Sequence, residues 1–135
     1  RKQIEIIRQR GFKIKEDGPT EGTYTNYENL DEKLVGLHDY LKFVKYGFGR
    51  ATDHACIDIR NNRMTRDKAI DVVKKYDGKY PHLAISSFIE YSGLSKKEID
   101  AVIDSFTNPL LFEQDEKGAF KRDTKFNLIK KFKLE

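Results

Sequence analysis

Cysteine is all but missing from this chain: Cys56 stands alone, so no internal disulfide can close, and neither a zinc site of paired cysteines nor an iron–sulfur cluster can be assembled. A reducing, cytoplasmic setting is the expectation. No apolar run approaches the length of a membrane span, and no charged, apolar, small-residue series resembles a secretion signal. A membrane partner is therefore not expected. The chain also lacks a glycine-rich, lysine-terminated phosphate loop and a dinucleotide-type glycine fingerprint after a strand, so it cannot cradle a triphosphate unaided. Solenoid-period repeats and low-complexity segments are missing too.

What is present is one domain's worth of sequence, 135 residues, with 26 Lys and Arg against 22 Asp and Glu and a net charge of +4. A mild excess spread over a charged surface does not imply nucleic acid, which needs the charge gathered on one face. The densest cationic stretch, Lys121, Arg122, Lys125, Lys130, Lys131 and Lys133 among Phe126, Ile129 and Phe132, reads as a solvated terminal element in preference to a polyanion site. Arg1 in place of Met, and the helical look of residues 1–10, suggest a piece of a longer protein.

Periodicity predicts a mainly α domain spanning 1–135, a bundle of about five to six helices with a small hairpin possible at the C-terminus. Residues 11–28, with Gly18, Pro19, Gly22 and a Thr/Tyr run, read as a loop or arm, and residues 109–135 as a tail. Asp31 is the expected cap of a helix closing at Gly47. Leu34, Leu37, Leu41 and Val44 recur there at helical spacing, and Val35, Tyr40 and Phe43 widen the stripe, so this helix should be central. Thr52 is a plausible cap for a short helix to about Arg60, and Thr65 for the next, with Ala69, Ile70, Val72, Val73 and Tyr76 inward. Another helix covers 82–92 and stops at Gly93. Ser95 and Glu98 form a capping box ahead of Ile99, Val102, Ile103 and Phe106.

Chemistry concentrates at one corner. At about 100° per residue, His38, Lys42 and Lys45 share a narrow sector of the central helix. The run Lys45, Tyr46, Gly47, Phe48, Gly49, Arg50, Ala51, Thr52, Asp53 then offers two glycines for close backbone approach, two bracketing cations and a helix start whose amides favour an anion. Spacing alone equally suits an ordinary helix–turn–helix corner with solvated cations. Cys56 reads as core filling, because His54 lies two residues away and about 200° round a helix, which is no dyad. His54 and Asp58 have the spacing of a metal pair, but a helix-surface hydrogen bond or ion pair suits it as well, and no metal site is expected. His82 carries no functional signal.

The run Thr23 to Tyr27, residues 37–40, Lys45 to Asp53, then Asp58, Ile59, Arg60, Thr65, Arg66 and Val73 to Gly78 resembles the N-acetyl sugar amidotransferase family of the PP-loop ATP pyrophosphatases over residues 23–107. The resemblance implies the helical C-terminal portion of a two-part enzyme, with an N-terminal ATP-binding α/β portion beyond this chain. It implies an ATP-dependent reaction, Mg accompanying the nucleotide. The N-acetyl amide of a nucleotide-activated sugar is adenylylated and then attacked by ammonia from a separate glutaminase, giving an acetamidino sugar for lipopolysaccharide or other surface glycans. Lys45, Arg50, Thr52, Asp53 and Arg66 stand at its characteristic positions, with His38 and Lys42 alongside. Lys45 and Arg50 would face phosphate oxygens, and Thr52 and Asp53 would orient them or a sugar hydroxyl. The catalytic residues are expected elsewhere, and the fragment alone should be inactive.

Two other readings compete. A helical interaction module would dock a glutaminase or another subunit without touching substrate, and a basic nucleic-acid module would need the tail cations and the Lys45 corner on one face. Removing a partner domain uncovers an apolar surface. A cationic corner beside that surface favours the enzyme, and one remote from it favours docking.

Overall fold

The computed structural model describes residues 2–132; Arg1, at the start of the expected first helix, and Lys133 of the basic run lie outside the described residues. Six helices are present among them: α1 Lys2–Arg8, α2 Val35–Tyr46, α3 Arg50–Arg60, α4 Arg66–Tyr76, α5 His82–Ser92 and α6 Lys96–Phe106. The expectation of a mainly helical fold holds.

Helix α2 is central, as its wide apolar stripe predicts. Leu37, Tyr40, Phe43 and Val44 are buried with Ala84 and Ile85 of α5 and Ile99 and Ile103 of α6. It begins four residues later than Asp31, however, because Asn29 takes a left-handed conformation (φ 48°) and the Glu32 N–H closes a turn onto the Asn29 carbonyl. Glu32 serves the chain through its side chain instead, accepting from the Leu34 N–H at 2.7 Å. At the other end Gly47 adopts φ 80° and its N–H satisfies the Phe43 carbonyl, the expected glycine stop.

A second, smaller core lies between α3 and α4, where Ala55, Ala69 and Val73 pack with Tyr24, Ile59 and Met64. Small residues at these crossings let the two helices approach closely. Thr65 and the Ser95–Glu98 box cap α4 and α6 as anticipated. The stripe of α6 is only half used: Ile99 and Ile103 are buried, whereas Val102 and Phe106 are about half exposed.

The segment after α6 is not a solvated tail. Three antiparallel bridges, Phe112 to Lys130, Gln114 to Phe120 and Arg122 to Leu128, tie three limbs to one another. The hairpin expected at the C-terminus is the first two limbs, which turn at Gly118 and are joined by the Gln114–Phe120 bridge. Phe112, fully buried, and Leu128 complete the main core. The arm is equally structural. Glu21 accepts from the Leu83 and Ala84 N–H groups, capping α5 from 62 and 63 residues away, and the Gly22 carbonyl accepts from the Ala51 N–H at the start of α3.

Candidate functional site

The expected anion corner forms where α2 ends and α3 begins, and its geometry differs from the one the spacing suggests. Helix α3 starts at Arg50, with Gly49 rather than Thr52 as the residue before it. Its open amides are met by a carboxylate of the chain itself. Asp77, just past α4, accepts from the Gly49 N–H at 2.9 Å, the Ala51 N–H at 3.0 Å and the Thr52 hydroxyl at 2.5 Å, with a longer contact to the Thr52 N–H. The glycine at 49 is needed for this approach: a Cβ there would lie 2.9 Å from Asp77 Oδ1. The positive end of α3 thus holds an anion 25 to 28 residues away in sequence.

The corner's cations are distributed in the same way. Arg50 Nε donates to Asp39 Oδ2 at 3.1 Å, and Lys42 forms a close ion pair with Asp53 while its ammonium sits 4.6 Å from the Phe48 ring centroid. Lys45 has an aromatic partner: its Nζ lies 4.4 Å from the centroid of Phe106. His38 is exposed on the same outer side of α2, and Arg66 is exposed in the first turn of α4. His38, Lys42 and Lys45 do point outward together, and Arg50, Thr52 and Asp53 adjoin them across the turn. Arg66 begins the next helix.

Around Lys42 and Lys45 lies an uncovered aromatic face. Tyr46 is 64 % exposed, with Phe48 and Phe106 also open, and the Tyr46 and Phe48 rings are 6.3 Å apart. Large apolar side chains gathered on one surface are uncommon without an occupant. The cationic corner therefore adjoins exposed aromatic side chains. Periodicity missed this because Phe106 was assigned to the core stripe.

A polar cluster joins the arm to the middle of α3. Thr23 Oγ1 and His54 Nδ1 are hydrogen-bonded at 2.7 Å, and His54 Nε2 lies 3.4 Å from Glu28. The Tyr24 hydroxyl donates to Asp58 Oδ2 at 2.9 Å, and Arg63 Nε donates to Asp58 Oδ1 at 2.7 Å. His54 and Asp58, one turn apart, each take partners on the arm, and among the described residues no group of three or more His, Cys, Asp or Glu is placed to hold a metal. Cys56, expected as core filling, is exposed, since it lies about 100° round the helix from the buried Ala55.

The basic run after residue 120 is held within the fold. Arg122 donates to Asp104 at 2.5 Å, Lys121 approaches Glu113 at 3.5 Å, and Lys131 donates to the Pro109 carbonyl at 2.7 Å. Lys130 donates to the Gly47 carbonyl at 2.5 Å and lies over the Phe43 ring, and burial pushes its pKa below the ordinary lysine value. Burial also raises the Tyr40 and Tyr80 phenols, the latter helped by its hydrogen bond to Asp100. Among the described residues no helix is long and apolar enough to cross a membrane.

No curated protein matches the chain. A family model does, over residues 21–132, which takes in the last part of the arm, both cores, the cationic corner and the C-terminal limbs. The part that resembles the C-terminal portion of a sugar-modifying enzyme lies wholly within that match, and the chain belongs to the family described as LPS biosynthesis protein WbpG-like, C-terminal domain.

Proposed function

We propose that the chain is the C-terminal portion of an ATP-dependent N-acetyl sugar amidotransferase of lipopolysaccharide synthesis, converting an N-acetyl group on a nucleotide-activated sugar to acetamidino. The observation that carries this reading is the position of the Lys42–Lys45–Arg50 corner beside the exposed aromatic rings of Tyr46, Phe48 and Phe106. A cation set at the edge of a surface that another domain would cover is placed to reach a ligand held between the two. ATP would be held by the N-terminal portion, because the α3 amides of this chain already carry Asp77. Mg would arrive with the nucleotide, and ammonia would come from a glutaminase partner in the cytoplasm.

Within this chain Lys45 and Arg50 supply donors to phosphate oxygens. Lys45 does so from an exposed position over Phe106, Arg50 from its pair with Asp39. Asp39 fixes the guanidinium's orientation through Nε, leaving the Nη edge to face a ligand. Thr52 and Asp53 act through Asp77 and Lys42, and His38 lies on the same helix as Lys42, whereas Arg66 stands at the end of α4 away from Asp77. The alternative, a docking module that touches no substrate, uses the aromatic face and leaves the corner without a task.

The test is to place Arg50→Lys and Lys45→Ala in the intact enzyme and to compare amidine formation with thermal stability. Losing one charge-assisted contact to a desolvated phosphate costs about 1.5 to 3 kcal/mol, so amidine formation should fall by about one to two orders of magnitude while folding is retained. Parental activity in both variants would favour the docking reading.

A further inference from the structure

The cluster joining the arm to α3 borders a cavity of about 420 Å³, which the corner's chemistry does not use. Its walls are Phe12, Tyr24 and Tyr27, the aliphatic Ile4, Ile7 and Ile57, and a polar set of Thr25, Glu28, His54, Asp58 and Arg63. That size lies within the range of small-molecule sites, roughly 300 to 1,000 Å³. An independent feature points the same way. Thr25 is 6 % exposed and its hydroxyl has no hydrogen-bond partner among the described residues, although buried polar atoms are ordinarily satisfied.

We propose that this cavity takes an uncharged hexopyranose ring, the sugar moiety of the substrate, while the Lys45–Arg50 corner faces its phosphates. The proposal deepens the amidotransferase reading and rests on it for the choice of sugar. Three facts select the ligand class. Two carboxylates, Glu28 and Asp58, face one guanidinium and one imidazole, so the cavity has no cationic excess to hold a diphosphate. Carboxylate oxygens, the Arg63 guanidinium and the Thr25 hydroxyl supply both acceptors and donors at close range, as hydroxyls that both donate and accept require. Tyr24 and Tyr27 then offer apolar faces to the C–H side of a ring. His54, 11 % exposed at its side chain, is locked between Thr23 and Glu28 and keeps the wall in place.

The experiment titrates the chain with N-acetylglucosamine and, as the anion control, inorganic pyrophosphate, following the His54 and Tyr ring protons by NMR. Saturable shifts with the sugar and none at these rings with pyrophosphate are expected. Thr25→Val and Tyr27→Ala should each weaken the sugar by about tenfold or more. Thr25→Val removes a hydroxyl without a partner, so its thermal midpoint should match or exceed the parent's, and it stays informative if Tyr27→Ala fails to fold. Parental sugar affinity in Thr25→Val, no saturable shift with the sugar, or tighter binding of pyrophosphate at these rings would each overturn the proposal. The intact enzyme separates the two readings. A parent that makes no amidine defeats the reaction but leaves sugar binding intact, whereas an active parent whose Thr25→Val variant has an unchanged KM for the nucleotide sugar defeats the pocket alone.

Discussion

Asp77 decides more of the corner than any of the residues that look functional in the sequence. A carboxylate accepting two close backbone N–H groups and a hydroxyl at a helix start replaces solvent for groups that have no partner within the helix. Asp77→Ala should destabilise the chain by about 1.5 to 3 kcal/mol, read by urea unfolding at neutral pH. The same substitution uncovers the α3 amides, so added phosphate should raise the melting temperature of the variant more than that of the parent. An equal response in both would mean that the amides remain closed by something else. Gly78, next in sequence, explains how Asp77 is aimed: it has φ 69°, and a Cβ there would lie 2.2 Å from Phe43 Cζ, so the turn packs directly on the central helix.

Among the elements, the ends of helices are stabilised by different means. Helix α6 is closed locally. Glu98 accepts from the Ser95 N–H and hydroxyl, and those bonds hold its pKa below the ordinary glutamate value. Its folded pKa being depressed, this contribution is complete above the unfolded value and is lost as pH falls through the lowered folded one. Ser95→Ala should therefore lower the melting temperature at neutral pH, and the difference from the parent should shrink on acidification through that window. A difference independent of pH would exclude the carboxylate's part. Helix α5, by contrast, begins after Pro81 without a local cap and is closed by Glu21 of the arm. The arm is thus a strap between α5 and α3, and it lacks periodicity because its backbone closes on itself in turns, the Lys15 N–H on the Asn26 carbonyl and the Thr20 N–H on the Thr25 carbonyl.

For the molecule as a whole, the three C-terminal limbs belong to the main core. Phe112 is fully buried, with its ring 5.4 Å from that of Phe43, and Lys130 binds the carbonyl of Gly47. Phe112→Ala should cost about 3 to 5 kcal/mol, a large share of the stability of a domain this size. Urea unfolding followed by circular dichroism measures it. A loss below about 1 kcal/mol would return residues 109–132 to the status of a tail. The smaller α3–α4 core, built from Ala55, Ala69 and Val73, buries less side chain and depends on the arm through Tyr24.

Periodicity and caps alone place the helices, because an apolar stripe and a capping residue act over a few neighbours: the boundaries of α5 and the Thr65, Ser95 and Gly47 signals can be read without any tertiary contact. The cationic corner is legible for the same reason, its residues being adjacent in the chain. What only the tertiary structure decides is which charges meet. Asp77 lies 25 residues from Thr52, Glu21 lies 62 from Leu83, and Lys130 lies 83 from Gly47. No local pattern encodes those distances. Asp31 and Thr52 look like caps in sequence but were displaced by a turn at Asn29 and a glycine at 49, and the single thiol faces solvent. The cavity behind the arm arises likewise from a Thr/Tyr run laid across α3, a partner that the run itself does not specify.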